Sequence, residues 1–321
     1  MDSHVLVTGG AGFIGSHLTE ALLELGASVT VLDDLSGSDM NNLALSRQQA
    51  GQRLRFVEGS VCDTSTVARC VEGARYVFHL AARGSVPQSV KQPVQYHEVN
   101  STGTLNVLEA ARSAGVKRVI FAASSSAYGD APALPKVESM AVRPGSPYAA
   151  TKVAGEALLR AYASSYGFDT VSLRYFNIFG PRQNANSAYA AVIAAFANAL
   201  LAGERLRIFG DGEQSRDFTY VANAVHANLL AARATTPLQG EVFNVASGRR
   251  ISVNQLADLM ARQMGRPDLT PEHLPERAGD VKHSLADLTQ ATTTLGYQPQ
   301  VTFEQGLAWT VAWYQHTANV A

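Results

Sequence analysis

Cysteine, charge and long apolar runs are all scarce in this sequence of 321 residues. Its two cysteines, Cys62 and Cys70, lack the C-x-x-C spacing of metal and redox sites, so we expect free thiols in a reducing compartment and no bound metal. The most apolar window, 188–202, is interrupted by Asn198 and is shorter than the roughly 20 apolar residues of a membrane span. We expect a buried or dimer-packing helix there.

The low charge also narrows the class of partner. Charged residues make up 17% of the chain and the formal net charge is −1, which removes the electrostatic basis for binding nucleic acid or a membrane surface. Apolar residues make up 46%, which is typical of a globular protein with a buried core. The first ten residues carry neither a basic nor a long apolar segment, so we expect no signal peptide and a cytoplasmic location.

Strand-like and helix-like segments alternate over the first 178 residues. The strand-like segments are 4–8, 28–34, 54–59, 74–82, 116–125 and 169–177, and the clearest helical ones are 13–26, 101–114 and 147–166. This alternation predicts an α/β fold with a doubly wound parallel sheet of the Rossmann type. Beyond residue 178 the rhythm breaks, so we expect a first domain at 1–178, to which the chain returns at about 218–246. A smaller mixed α/β lobe is expected at 179–217 and 247–321.

The segment TGGAGFIG, between the first strand and the first helix, carries Gly9, Gly12 and Gly15. Glycines in this context let the backbone approach a pyrophosphate, which binds at the helix N-terminus because free N–H groups there favour an anion. Asp33 ends the second strand and is expected to accept hydrogen bonds from ribose hydroxyls. Because no Arg or Lys follows it before Arg47, a 2′-phosphate would be repelled, and the sequence favours NAD over NADP.

Tyr148 and Lys152, in SPYAATKVAGE, lie four residues apart on a predicted helix and therefore share one face. An ammonium beside a phenol favours the phenolate, so this pair is suited to form a base. The segment AASSSAYGD ends the fifth strand, and ligands of a doubly wound sheet bind at the carboxyl ends of its strands. Ser124 is therefore expected beside the nicotinamide of the cofactor.

Seven segments occur in the order typical of the extended short-chain dehydrogenase/reductase family: TGGAGFIG, HLAA, SSSAYGD, PYAATK, LRYFNIFGPRQ, SRDFTYV and ERAGD. The chain resembles this family over nearly its whole length. Within the family it is most similar to the UDP-hexose 4-epimerases, especially those acting on UDP-N-acetylhexosamines. The resemblance implies a tightly bound NAD that is regenerated in each turnover, a transient 4-keto sugar, and Ser124, Tyr148 and Lys152 as the catalytic residues.

The resemblance also implies which residues contact each ligand. Cofactor contacts are expected at Gly9, Gly12, Phe13, Ile14, Gly15, Asp33, Ser60, Val61, Leu80, Ala81, Ala82, Asn100, Tyr148, Lys152 and Tyr175. Substrate contacts are expected at Gly84, Ser85, Ser124, Ser125, Asn177, Ala191, Val192, Arg216, Arg277, Asp280 and Ser284. The two arginines match residues that pair with the diphosphate, for which a planar guanidinium is suited. A homodimer through the helices at 101–114 and 147–166 is implied as well.

The residues after Ser124 indicate which reaction of the family to expect. Related dehydratases carry an Asp-Glu pair there and related decarboxylases carry a Glu, whereas this chain has Ser125 and Ser126. Without an acid at these positions, the ketone is expected to be reduced again, which amounts to epimerisation at C4. A non-catalytic NAD sensor is a more distant alternative, because such proteins usually lack the Tyr or the Lys.

A few positions bear on the identity of the sugar. Ser284 matches a position that carries Tyr where N-acetyl groups are excluded, and Gly84 and Ser85 match the N-acetylhexosamine subgroup. We therefore expect interconversion of UDP-N-acetylglucosamine and UDP-N-acetylgalactosamine, with UDP-glucose and UDP-galactose as a slower pair. Arg83 stands where the subgroup has an apolar residue, so UDP-glucuronate or another UDP-sugar stays open as the alternative substrate.

Overall fold

The computed structural model describes residues 3–183, 192–276 and 282–320. Within these ranges the strands are, in chain order, β1 (His4–Thr8), β2 (Ser28–Asp33), β3 (Leu54–Glu58), β4 (Tyr76–His79), β5 (Arg118–Ser124), β6 (Thr170–Tyr175), β7 (Ile178–Phe179), β8 (Arg207–Phe209), β9 (Ser215–Asp217), β10 (Thr219–Tyr220), β11 (Glu241–Val245), β12 (Arg250–Ser252) and β13 (Glu272–Leu274).

The helices of the same ranges are α1 (Phe13–Glu24), α2 (Ala44–Ala50), α3 (Thr64–Val71), α4 (Val86–Lys91), α5 (Pro93–His97), α6 (Gly103–Ser113), α7 (Pro147–Tyr166), α8 (Val192–Leu201), α9 (Val221–Arg233), α10 (Val253–Gln263), α11 (Thr289–Leu295) and α12 (Phe303–Val320). In this described part of the chain, none of the helices combines the length and apolarity needed to cross a lipid bilayer.

A seven-stranded parallel sheet forms the centre of the molecule. Its strand order is β11-β6-β5-β4-β1-β2-β3, and every neighbouring pair is parallel, which confirms the predicted Rossmann-type α/β fold. The chain runs outward from β1 through β2 to β3 and then returns to β4 on the other side of β1. This reversal opens a crevice at the carboxyl ends of β1 and β4, which is where such sheets bind ligands.

The two faces of the sheet are covered by separate sets of helices. Along β1, Val5 and Val7 belong to one hydrophobic cluster with Leu18 of α1, whereas Leu6 belongs to another with Val67 of α3. Alternate residues of a strand point to opposite faces, so an unbroken apolar strand indicates a sheet buried on both sides. The central strands are therefore rigid supports for the residues that follow their carboxyl ends.

Helix α7 carries two of the predicted catalytic residues, and local signals define its ends. Ser146 caps its N-terminus by accepting a hydrogen bond from the N–H of Ala149 over 3.2 Å, and Pro147 occupies the first helical position. Gly167, with φ of +62°, ends the helix in the left-handed conformation that favours glycine. The observed helix coincides with the predicted segment 147–166.

A further hydrophobic cluster lies outside the sheet and is built largely from α8, α10 and α12, with Phe179 and Phe218. The short pairs β7–β10, β9–β12 and β8–β13 accompany it. The chain also returns to the main sheet, because β11 pairs with β6. Ala291 and Tyr297, close to the C-terminus, pack in a cluster of the main sheet. The limits of the two domains stay a prediction.

Candidate active site

The glycine turn between β1 and α1 packs tightly against the segment that follows β4. Gly9 has φ of +69°, and a Cβ on it would lie 2.7 Å from the backbone nitrogen of Ala81. A Cβ on Gly15 would lie 2.0 Å from the carbonyl oxygen of Gly9, so only glycine lets α1 begin this close to the turn. The turn thus presents bare backbone to the crevice.

A cleft of about 500 Å³ at this crevice brings together most of the predicted cofactor residues. It is lined by Gly9, Gly12, Phe13, Ile14, Gly15, Asp33, Val61, Leu80, Ala81, Ala82, Tyr148, Lys152 and Tyr175, and also by Gly84 and Ser85 from the predicted substrate set. Ser60 lies between two lining residues, and its Oγ accepts a hydrogen bond from the N–H of Cys62 over 3.2 Å.

Asp33 holds its carboxylate at the edge of this cleft. Its Oδ2 accepts a hydrogen bond from the N–H of Ala11 over 2.9 Å, and its Oδ1 accepts one from Oγ of Ser38 over 2.7 Å. The N–H of Leu35 also donates to Oδ1, over 2.9 Å. A carboxylate has about four acceptor sites, so about one is left for a ribose hydroxyl. The bare backbone at the glycine turn and this acid at the end of β2 fit the diphosphate and the adenosine ribose of NAD.

Asn100, a predicted cofactor contact, follows the cleft-lining Val99 and directs its side-chain hydrogen bonds to other protein groups. It lies in a π-helical segment, Glu98–Thr102, between α5 and α6, and is 1% exposed. Its Oδ1 accepts a hydrogen bond from the N–H of Arg83 over 2.8 Å, and its Nδ2 donates to the Arg83 carbonyl over 3.1 Å and to Thr151 Oγ1 over 3.0 Å. Because protein groups occupy its amide, Asn100 clamps the segment after β4 to helix α7.

Tyr148 and Lys152 lie one turn apart on α7 and both line the cleft. Lys152 is 4% exposed, and its Nζ donates a hydrogen bond to the Ala122 carbonyl over 2.7 Å. The same nitrogen lies 4.8 Å from the centre of the Phe121 ring. These contacts hold the ammonium at the carboxyl end of β5. The bond to Ala122 uses one of its three N–H donors, so others can reach a ligand.

The electrostatics of this pair differ from the expectation. Burial raises the pKa of the Tyr148 hydroxyl above its ordinary value, with a hydrogen bond to Ser124 acting in the opposite direction. Burial also lowers the pKa of Lys152 to about 8, partly offset by Glu156. Desolvation disfavours the charged form of both groups. Tyr148 is therefore protonated at neutral pH in the protein by itself, and its ionisation requires a further positive charge in the cleft.

Ser124 ends β5 and caps the short 3-10 helix Ser125–Tyr128. Its Oγ accepts hydrogen bonds from the N–H of Ser126 over 3.2 Å and from the hydroxyl of Ser126 over 2.9 Å. Because two donors point at this oxygen, its own proton is directed toward its remaining partner, the Tyr148 oxygen. The role of Ser126 was not predicted, although the run of three serines after a strand was a usable signal.

A buried ion pair lies behind the catalytic face of α7. Glu156 follows Lys152 by one turn, and its two oxygens accept hydrogen bonds from Arg174 of β6 over 2.8 and 2.7 Å. The guanidinium of Arg174 also lies 4.6 Å from the centre of the Tyr128 ring. The pair fixes α7 against the sheet at the level of Lys152. Sequence spacing could not reveal it, because the two partners lie on separate elements.

His79, at the end of β4, connects the glycine turn to helix α6. Its Nδ1 lies 2.7 Å from Oγ1 of Thr8 and its Nε2 lies 2.9 Å from Oγ1 of Thr104. The Thr104 hydroxyl donates to the carbonyl of Asn100 over 2.6 Å, so it accepts from Nε2–H of the imidazole. Nδ1 therefore accepts from Thr8, and a neutral ring satisfies every partner.

A second cavity of about 260 Å³ contains some of the predicted substrate residues. Asn177, Val192 and Arg216 line it, together with Arg207, Phe209, Gln214 and Phe218. Its walls therefore combine aromatic rings, side-chain amides and two guanidinium groups. The guanidinium of Arg216 is oriented by two backbone carbonyls, to which its Nη1 donates over 3.1 Å (Ser215) and 3.2 Å (Lys282).

Ser284 lies behind Asn177 and acts on this cavity through it. Ser284 is 8% exposed, and its Oγ accepts hydrogen bonds from Nδ2 of Asn177 over 3.3 Å and from the N–H of Asp217 over 3.4 Å. Any enlargement of Ser284 would therefore displace the Asn177 side chain first. The other predicted substrate contacts, Ala191, Arg277 and Asp280, lie outside the described residues.

Comparison with known proteins agrees with this geometry. The family model described as the NAD dependent epimerase/dehydratase family matches residues 5–246. Over 317 residues the chain is 42% identical to the UDP-glucose 4-epimerase of Mycolicibacterium smegmatis, an alignment that covers 98% of this chain and 99% of that protein.

Two solved structures are similar over nearly their whole length. The UDP-N-acetylglucosamine 4-epimerase from Methanobrevibacter ruminantium, in complex with UDP-N-acetylmuramic acid, superposes with a TM-score of 0.92 at 41% identity, covering 98% of this chain and 99% of that one. The UDP-glucose 4-epimerase with UDP-glucose from Thermotoga maritima gives a TM-score of 0.91 at 40% identity and the same coverage. The chain therefore belongs to the NAD dependent epimerase/dehydratase family.

Proposed function

We propose that this protein is a UDP-sugar 4-epimerase that prefers UDP-N-acetylglucosamine and UDP-N-acetylgalactosamine and converts UDP-glucose and UDP-galactose more slowly. The observation that carries the proposal is that Tyr148 and Lys152 line one dinucleotide-type cleft and that Tyr148 is hydrogen-bonded to Ser124, which follows the cleft-lining Ala123. Similarity to two 4-epimerases that act on, or bind, UDP-hexoses supports the reaction class.

The catalytic steps follow from the hydrogen bonds of these side chains. Tyr148, ionised once the positive charge of the bound cofactor is present, accepts the proton of the sugar 4-hydroxyl and becomes a neutral phenol; before this transfer Ser124 donates a hydrogen bond to the phenolate. When NAD is bound, it supplies the reversible two-electron oxidation of the sugar at C4. Lys152, fixed on the Ala122 carbonyl, stabilises the phenolate and holds a ribose hydroxyl. Tyr148 then returns the proton after the sugar has turned its other face to the cofactor.

The end of β5 favours epimerisation over the elimination of water. Ser125 and Ser126 place hydroxyl groups beside Ser124, where a dehydratase needs a carboxyl group as acid. The acid closest along α7, Glu156, is already bound to Arg174. Among the described residues, those that follow β5 offer a 4-keto sugar hydroxyl groups and no carboxyl group that could remove a proton from C5, so reduction of the ketone is the expected course.

The lining of the second cavity is suited to bind the nucleoside diphosphate part of the substrate. Phe209 and Phe218 offer apolar surface for a pyrimidine base, and Gln214 offers the amide groups that a base edge requires. Arg207 and Arg216 bring two cations suited to the diphosphate. We therefore assign uridine and its diphosphate to this cavity.

The preference for N-acetylated sugars rests on small residues. Gly84 lines the cleft, and a Cβ built on it would meet no atom within 4 Å, so space is left at this wall. Ser284 adds little volume behind Asn177. A roomy pocket admits an N-acetyl group and does not exclude a smaller sugar, which is why both substrate pairs are proposed.

We also propose a homodimer formed by α6 and α7 of two protomers. Leu105 of α6 is 38% exposed and Tyr166 of α7 is 58% exposed, which leaves large apolar groups on this adjoining pair. The guanidinium of Arg112 lies 4.7 Å from the centre of the Tyr166 ring and borders the same surface. Sedimentation equilibrium of the wild type and of a Leu105→Glu, Tyr166→Glu variant tests the proposal; a monomeric wild type would contradict it.

The reaction is tested by incubating the purified protein, without added NAD, with each of four UDP-sugars: glucose, galactose, N-acetylglucosamine and N-acetylgalactosamine. We expect each sugar to yield its 4-epimer on chromatography, faster for the N-acetylated pair, and Tyr148→Phe to slow the conversion by about 10²- to 10⁴-fold. Faster turnover of UDP-glucose would overturn the N-acetyl preference but not the reaction. Absence of any epimer in a protein that releases NAD on heating would overturn the reaction itself.

A further inference from the structure

Arg83 occupies a fixed position in the cleft, although neither the fold nor the catalytic steps require an arginine there. It follows the end of β4 by four residues and lines the cleft with Tyr148 and Lys152. Asn100 holds its backbone on both sides, through the N–H at 2.8 Å and the carbonyl at 3.1 Å. Asn100 is itself 1% exposed, so a buried side chain fixes the backbone from which the Arg83 side chain extends.

The guanidinium of Arg83 lacks the partners that an arginine in a cleft normally has. Its Nε is buried without a hydrogen-bond partner, and none of the ion pairs within the described ranges includes it. Asp33, an acid that lines the same cleft, is bound to Ala11 and Ser38. Buried polar groups are usually satisfied, so an unpaired donor in a cleft indicates a ligand that completes it.

The location of Arg83 favours the sugar over the adenosine half of the cofactor. Asn100 also donates to Thr151 Oγ1 over 3.0 Å, and Thr151 donates to the carbonyl of Tyr148 over 2.8 Å. Arg83 is thus tied to the first turns of α7, which carry the proposed catalytic groups. Asp33, by contrast, ends β2, on the far side of β1 from β4.

We propose that Arg83 binds a carboxylate carried by the sugar, so that the protein also accepts UDP-sugars with an acidic hexose. The inference rests on the proposed 4-epimerase function and names a further substrate class for it. A guanidinium presents a planar fork of donors that matches a carboxylate in two parallel hydrogen bonds. A neutral hexose offers no group that would use this fork equally well.

The test compares UDP-glucuronate with UDP-glucose in the wild type, Arg83→Leu and Arg83→Lys. We expect Arg83→Leu to lower the ratio of kcat/KM for UDP-glucuronate to that for UDP-glucose by about 10-fold or more, mainly through KM. Arg83→Lys keeps the charge but lacks the fork and is expected to fall in between. Thermal melting confirms that each variant is folded, and NAD released on heating measures cofactor retention.

Two results would overturn the proposal. If Arg83→Leu lowers kcat/KM equally for both sugars and also lowers the NAD content, Arg83 contacts the cofactor diphosphate. If the ratio of the two kcat/KM values is unchanged and the NAD content is retained, its side chain contacts neither the sugar nor the cofactor. Calorimetric binding of the two UDP-sugars needs no turnover. A carboxylate-dependent difference in binding that Arg83→Leu removes, in a protein that converts neither sugar, would therefore contradict the 4-epimerase function while leaving the assignment of Arg83 intact.

Discussion

The hydroxyl of Ser126 donates to Oγ of Ser124 over 2.9 Å, and the N–H of Ser126 donates to the same oxygen over 3.2 Å. Together these bonds occupy the lone pairs of Ser124 and leave its proton for the oxygen of Tyr148. Ser126 thus orients a catalytic hydroxyl without having to touch the substrate.

Replacing Ser126 by Ala is expected to lower kcat by about 2- to 10-fold, the range of one neutral hydrogen bond, with KM unchanged. Ser126→Thr keeps the hydroxyl and should restore kcat, which separates a positioning role from a general effect on folding. Steady-state kinetics of both variants on one UDP-sugar provide the measurement. A loss confined to KM, or no rescue by Thr, would contradict this role.

Tyr148→Phe removes the group that exchanges a proton with the sugar and keeps the ring that fills its place. We expect kcat to fall by about 10²- to 10⁴-fold, the usual contribution of a positioned acid or base. Binding of the UDP-sugar should survive, as measured by calorimetry, because the second cavity is untouched. Retention of more than about a tenth of the activity would show that the base lies elsewhere.

His79 makes the folded state sensitive to acid. Burial, with a smaller effect of the charge on Lys152, lowers the pKa of His79 from 6.5 to about 3. Between pH 6.5 and pH 3 the imidazole binds a proton in the unfolded chain but not in the folded protein. The free energy of unfolding therefore decreases as the pH falls through this range. From pH 6.5 to pH 5 the free energy of unfolding should decrease by about 2 kcal/mol through this group.

His79→Gln can keep one donor and one acceptor between Thr104 and Thr8 without titrating, so it should remove that part of the pH dependence. His316→Gln, at an exposed position, is the matched control and should behave as the wild type. Urea denaturation at several pH values measures the effect. Parallel curves for the wild type and His79→Gln would disprove it.

Ser284→Tyr tests the wall behind Asn177. Asn177 is a predicted substrate contact, and we take its amide to lie where the diphosphate meets the sugar. The enlarged side chain has to displace the amide that Ser284 now contacts, which would take the space of an N-acetyl group on the sugar. We expect kcat/KM for UDP-N-acetylglucosamine to fall by about 10-fold or more and that for UDP-glucose to change much less. Ser284→Ala, which adds no volume, should keep the N-acetyl preference. The same substrate preference in Ser284→Tyr and in the wild type would remove the size argument.

Patterns within short segments were sufficient to predict the main elements. Helix α7 coincides with the predicted segment 147–166, and its ends are defined locally by Ser146, Pro147 and Gly167. Strand β4 is shorter than the predicted segment 74–82, since Leu80 to Ala82 leave the sheet to line the cleft. A run of apolar residues indicates that a segment is buried, but it does not distinguish a buried strand from a buried wall of a cleft. The end of the strand could therefore not be predicted from the run.

The sequence by itself was sufficient to recognise the glycine turn, the acid at the end of β2 and the Tyr–Lys spacing. Each of these depends on neighbours along one strand or one helix. The tertiary structure decided how those groups are charged and aimed. Asn100 reaches Thr151 and Arg83, Ser124 is oriented toward Tyr148, and Lys152 is bonded to Ala122. Such contacts join residues on separate elements, so spacing along the chain does not reveal them. Burial shifts the pKa of a group only once the folded chain surrounds that group.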